Sequence, residues 1–141
     1  MPVRSSSAVW NGNLLQGSGT MKVGAGVFEG KYSFPSRFES GEGTNPEELI
    51  AAAHAGCYSM ALSATLGKAG FNPTRVATTA KAHLEKVGDG FAITKIELVT
   101  EAQVPGIDNA TFQRHADGAK KGCPVSKALA GTEITLSAKL V

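Results

Sequence analysis

Two cysteines are the only thiols in this 141-residue chain, and they stand in unlike surroundings: Cys57 in the Ala-rich run AAAHAGCYSMALS, and Cys123 directly before a proline in KKGCPVSKAL. A chain of this length buries a core without a disulfide. Two thiols therefore point to catalysis, redox exchange or incidental packing before they point to a structural staple. Local chemistry favours Cys123. A helix opening at Pro124 aims unpaired amides at its sulfur, and Lys120 and Lys121 add positive charge, both of which favour a thiolate. Cys57 lies about three turns into a helix, among small apolar residues that raise a thiol pKa rather than lower it. Read alone it is an inert, packed thiol; it becomes reactive if a cation reaches it from elsewhere, and Arg37 is the candidate supplier.

His54 precedes Cys57 by three residues on the same helical run, so a Cys–His hydrolase is a further reading, set against a merely packed imidazole. A base one turn away is poorly directed, and no oxyanion-hole pattern accompanies it. His54, His83 and His115 are dispersed without ligand spacing, which disfavours a metal site. Neither a phosphate-binding glycine loop nor a GxSxG elbow is present.

The elements that must position these residues can be read around them. Glycine-broken short strands over 7–35 form a small antiparallel unit, followed by the loop segment SRFESGEGTNP that carries Arg37. Asn45 caps a helix whose first residue is Pro46, Glu47 and Glu48 favour its first turn, and the helix runs through Cys57 to about Lys68 before Gly70. Small residues on nearly every face predict close approach by other elements. Two longer strands meet at the Gly88-Asp89-Gly90 hairpin, Asp108 caps a helix to about Lys121, a short helix opens at Cys123-Pro124, and EITLSAKLV is a last strand. The order β-β-β-α-β-β-α-α-β, with strands grouped in hairpins, predicts an α+β fold in a single domain over 1–141.

Composition sets the outer limits. With 42% hydrophobic and 18% charged residues the chain is an ordinary globular protein. A net charge of +2 with scattered basic residues gives no nucleic-acid stripe. The N-terminus shows no signal-peptide pattern, so a cytoplasmic location is expected. The Leu49–Leu66 run is Ala-dominated and interrupted by polar residues, so a buried helix is expected in place of a membrane span.

At GTNPEELIAAAHAGCYSMAL, with the later VPGID and GCPVSKAL segments, the chain closely resembles the osmotically inducible protein C (OsmC) family of bacterial thiol peroxidases over nearly its whole length. The NPEEL helix start, a cysteine ten residues after its first glutamate and the later GCPVS segment occur in order. Organic hydroperoxide resistance proteins look like the sister group; the SRFE and GFAITKIEL segments sit better with the osmotically inducible branch. The resemblance implies an intertwined homodimer, with two antiparallel sheets around long central helices and an active site near the subunit interface. It further implies a two-cysteine peroxidase that reduces organic hydroperoxides in preference to hydrogen peroxide, using a thiol reductant, expected to be a dithiol, and no cofactor. Cys57 is then the attacking thiol and Cys123 the resolving one. Arg37 lowers the Cys57 pKa and polarises the peroxide, and Glu47 holds that arginine, with Glu48 as the alternative. Resemblance and local physics thus disagree about which thiol is activated; the expectation adopted is Cys57, because activation can come from tertiary contacts that sequence neighbours do not reveal. A non-catalytic binding domain that shares only the fold is the competing class.

Overall fold

The computed structural model describes residues 1–141 and divides into two compact units, residues 1–49 and 50–141. The first unit holds three antiparallel strands, β1 (Ser6–Asn11), β2 (Ser18–Val23) and β3 (Phe28–Tyr32), in the order β1-β2-β3. Gly19 is needed at its place in β2: a Cβ there would come 2.6 Å from the Tyr32 ring and 2.9 Å from the Trp10 ring. Without that Cβ the two rings meet across the strand, 5.2 Å apart at the centroids.

A short helix, α1 (Phe34–Phe38), follows, so Arg37 sits on a helical turn and not in the loop expected from sequence. The turn is written by a capping box in which Ser33 and Ser36 exchange side-chain and backbone hydrogen bonds, with a proline at its start. The long helix α2 spans Pro46–Lys68. As expected, the Asn45 side chain accepts from the Glu48 amide at 2.8 Å, and Gly70 leaves the helix with φ 91°. By length and composition alone α2 is apolar enough to cross a bilayer, with a best mean hydropathy of 1.3. Here, however, Tyr58, Leu62 and Leu66 form a four-residue-spaced stripe in the core of the second unit.

That core also takes in Ile96, Leu98, Ala102, Phe112, Ala116 and Ala119. Its sheet has the order β4-β5-β6, from β4 (Arg75–Val87), β5 (Gly90–Gln103) and β6 (Glu133–Leu140). The β4–β5 hairpin turns where expected. The β5–β6 pair is parallel, so this sheet is mixed where an antiparallel one was expected. The physical reason is the connection: α3 (Asn109–Gly122) and α4 (Pro124–Ala128) carry the chain back to start β6 at the end where β5 starts. Asp108 caps α3, accepting from the Thr111 amide at 3.0 Å. The α+β reading stands.

Candidate active site

The second unit brings the two cysteines together. Cys57, in the middle of α2, and Cys123, between α3 and α4, are 66 positions apart in sequence, yet their sulfurs share a hydrogen bond at 2.7 Å. Both are free thiols, and a disulfide of about 2.05 Å lies a small movement away. Their exposure differs: Cys57 is partly exposed, whereas Cys123 has no accessible surface. Burial raises the Cys57 pKa, and its hydrogen bond with Cys123 adds to this. Burial acts against ionisation at Cys123 as well. There it is outweighed by hydrogen bonds from the Cys57 thiol, the Ser126 amide and hydroxyl and the Val125 amide, so the Cys123 pKa is lowered. Within the reduced chain the first negative charge is held better at Cys123, and one proton shift along the 2.7 Å bond moves it to Cys57.

The support for that charge comes from individual amides and one hydroxyl at the start of α4, a helix of only five residues. Lys120 and Lys121, expected to add positive charge, are instead engaged by Asp117 at 3.6 Å and 3.0 Å. Sequence reading missed Ser126, although a hydroxyl three residues after a helix-starting cysteine was the available signal.

His54 is fully buried, and its Nε2 meets Ser126 Oγ at 2.7 Å. Burial lowers its pKa, so the imidazole is neutral at neutral pH. Its hydrogen bond goes to Ser126 and not to Cys57, which leaves a Cys57–His54 hydrolase without its base. Nor do His54 and Ser126 form a hydrolytic dyad, because His54 Nδ1 has no partner to orient the ring. Tyr58, the residue after Cys57, donates its hydroxyl to the Ala116 carbonyl at 3.1 Å; burial, then Asp117 and Cys123, push its pKa far up.

The first unit holds the cation. Arg37 Nε and Nη2 donate to one and the same oxygen of Glu47, Oε1, at 3.0 Å and 2.8 Å. Ser36 sets up this meeting. Its hydroxyl donates to the Thr44 carbonyl at 2.7 Å, and its carbonyl accepts from the Asn45 amide group at 3.0 Å, tying α1 to the start of α2. Glu48 is taken up elsewhere, accepting from Asn45 Nδ2 and Thr44 Oγ1. Of the two glutamates, Glu47 therefore holds the arginine. The Glu47 side chain is 8% exposed and that of Arg37 36% exposed, so the carboxylate is buried behind a guanidinium that still reaches solvent. The guanidinium also lies over the Phe38 ring, 5.3 Å from its centroid. Arg37 lines a mostly apolar cavity of about 280 Å³ together with Trp10, Leu14, Tyr32, Ser33, Phe34 and Phe38. An apolar pocket with one cationic group suits a ligand with an apolar body and a polar, electron-rich end.

The family model described as OsmC-like protein matches residues 39–138. Peroxiredoxin OsmC of Escherichia coli (strain K12) is 53% identical over 138 residues, 97% of this chain and 96% of that protein. An organic hydroperoxide resistance protein of Xanthomonas axonopodis pv. citri is 35% identical over 99 residues, 69% of this chain and 68% of its own. In fold, a crystal structure titled as an organic hydroperoxide resistance protein OsmC from Legionella pneumophila superposes with a TM-score of 0.75 over 99% of both chains, at 22% identity.

Proposed function

The chain belongs to the OsmC-like protein family, and from that membership we propose that it is a thiol-dependent peroxidase that reduces organic hydroperoxides to alcohols in defence against peroxide stress. The observation that carries the reading is the thiol pair: two free sulfurs at 2.7 Å, only one of them open to a substrate. A domain whose thiols were incidental would have no need of this pairing.

In the mechanism, the Cys57 thiolate attacks the distal oxygen of the hydroperoxide. An S–O bond forms and the O–O bond breaks, leaving Cys57 as a sulfenic acid while the departing alkoxide takes a proton to become the alcohol. Cys123 then attacks the Cys57 sulfur; the S–S bond forms, hydroxide leaves, and the Cys123 proton completes a water molecule. A thiol reductant, preferably a dithiol, returns the disulfide to two thiols. The unequal exposure supports Cys57 as the first nucleophile even though Cys123 holds charge more readily, because a peroxide must reach sulfur before pKa matters. Arg37 is proposed as the cation that draws the negative charge to Cys57 and stabilises the departing oxygen, with Glu47 fixing the guanidinium. Support for that role is the preformed ion pair and the apolar cavity beside it. No cofactor enters these steps.

The 141 residues are read as one peroxidase domain that works as a homodimer in the cytoplasm. Support for the dimer is the row Ala52, Ala53, Gly56, Met60, Ser63, Ala64 and Gly67, which lies exposed along α2 opposite its buried stripe. Apart from Met60 these residues are small, which allows a second helix to approach closely, and Met60 offers it an exposed apolar side chain. The test of the function is the fate of each thiol after one equivalent of an organic hydroperoxide, with each cysteine replaced in turn. Thiols that survive this treatment in the unaltered protein would refute it.

A further inference from the structure

The assignment of Cys123 as the resolving thiol leaves a buried histidine and a buried serine without a task. His54 has no accessible surface and Ser126 is 5% exposed, yet they are joined by a 2.7 Å hydrogen bond. Such a bond inside a core costs desolvation at both groups, so its direction and its far end matter. His54 Nδ1 is buried with no partner. An orphaned buried N–H is rarer and costlier than a bare ring nitrogen, so the ring proton belongs on Nε2. Nε2–H then donates to Ser126 Oγ, and the serine hydrogen is free to point onward. Onward is Cys123, the N-cap residue of the same short helix three positions before Ser126, its carbonyl accepting from the Lys127 amide at 3.1 Å; negative charge on its sulfur is favoured by the Ser126 hydroxyl and the amides of Ser126 and Val125.

Resting on the two-cysteine reading above, we propose that His54 is a positioning residue for disulfide formation: through Nε2 it fixes the Ser126 hydroxyl with its hydrogen aimed at Cys123, holding that thiol ready to attack the Cys57 sulfenic acid. The chain His54, Ser126, Cys123, Cys57 runs through one unit, two residues on α2 and two at the start of α4. The histidine never touches the reacting atoms and exchanges no proton with them. Bonds and protons in the step are those already given: the S–S bond forms, the S–O bond breaks, and the Cys123 proton leaves with hydroxide as water. The other titratable groups around Cys123 do not compete for this task. Tyr58 is bound to the Ala116 carbonyl, and Asp117 is engaged by Lys120 and Lys121.

Glutamine and asparagine separate the two ring nitrogens, since the amide nitrogen of Gln stands near Nε2 and that of Asn near Nδ1. The experiment is acid-quenched intact mass spectrometry during a single turnover with cumene hydroperoxide. It is run on the full chain across a pH series and follows the gain of one oxygen separately from the loss of two hydrogens. Ser126→Ala and His54→Asn should slow disulfide formation on the order of tenfold and move its pH midpoint upward, as expected for a lost hydrogen bond to a charged sulfur. The oxygen-gain step should change by less than about twofold, and His54→Gln should recover to within about threefold of wild type in disulfide formation. If Gln and Asn behave alike, if the midpoint stays put while the rate falls, or if both steps slow together, His54 only packs and the proposal is overturned. Ser126→Ala keeps the question open to refutation should His54→Asn fail to fold. Should wild type itself form no Cys57–Cys123 disulfide, it is the two-cysteine reading that falls; if wild type forms it and Ser126→Ala matches it, only the role of His54 and Ser126 does.

Discussion

Arg37 grips a single carboxylate oxygen of Glu47 with two nitrogens, Nε at 3.0 Å and Nη2 at 2.8 Å, which leaves the remaining N–H groups of the guanidinium available to a substrate. A lysine has one charged nitrogen and cannot hold Glu47 and a peroxide oxygen in fixed relative positions. Arg37→Lys should therefore lower peroxidase kcat/KM on the order of 100-fold, the usual effect of losing one preorganised donor. Glu47→Gln should also lose activity, whereas Glu48→Gln, which touches only the cap of α2, should stay within about twofold of wild type. Steady-state kinetics on the three variants decides the matter: an active Arg37→Lys, or a Glu48→Gln as damaged as Glu47→Gln, would refute the assignment.

The dimer reading is open to a clean substitution. A Cβ added at Gly56 meets nothing within 4 Å in its own chain, and the residue is exposed in the middle of α2. Gly56→Arg should thus improve the isolated helix by up to about 1 kcal/mol through propensity. If a second copy packs on this row, the same change should nevertheless convert dimer to monomer in light scattering. A wild-type monomer at working concentration, or a Gly56→Arg dimer as tight as wild type, would contradict it.

His54 gives a pH dependence with a definite sign. Its folded pKa lies below the ordinary 6.5 because burial penalises the imidazolium. Below pH 6.5 the unfolded chain takes up a proton that the folded chain does not. The stability contributed by this group is therefore complete above 6.5 and is lost as pH falls from there towards the folded pKa. Urea midpoints between about pH 5 and about pH 8 should fall on the acid side in wild type and fall less in His54→Gln. Identical slopes in the two proteins would show that His54 is not the group responsible.

Much of this was legible in the chain, and the parts that were not share a cause. Asn45, Gly70, the Gly88–Gly90 turn and Asp108 act within a few residues of themselves, and each sits where sequence placed it. The short helix carrying Arg37 was missed because the surrounding Gly, Ser and Glu residues hid a five-residue element, although Ser33 and Pro35 announce its start. The parallel seating of β6 was invisible because the connection from β5 sets it, not any pattern within EITLSAKLV. At the site, the charge of Lys120 and Lys121 was misjudged because Asp117 lies three and four residues back on the same helix. Ser126 and its bond to His54 span 72 positions, a distance over which local patterns carry no information.

If the cavity beside Arg37 receives the substrate's apolar body, as proposed, its wall should set a substrate preference. Leu14 lines it and is exposed, so Leu14→Lys adds charge to the wall at little cost to the fold. The variant should lose about tenfold in kcat/KM for cumene hydroperoxide while changing little for hydrogen peroxide, which needs no apolar wall. Equal losses for both peroxides would remove the cavity from the account.

The central claim is that Cys57 attacks the peroxide first and Cys123 resolves the sulfenic acid, and the most direct measurement is intact mass with free-thiol count after one equivalent of cumene hydroperoxide. Wild type should lose both thiols and two hydrogens, Cys123→Ser should stop with one oxygen added at Cys57, and Cys57→Ser should stay reduced. Should Cys57→Ser oxidise at Cys123 while Cys123→Ser stays reduced, the roles are reversed, and the sulfur that holds charge best would prove to be the nucleophile.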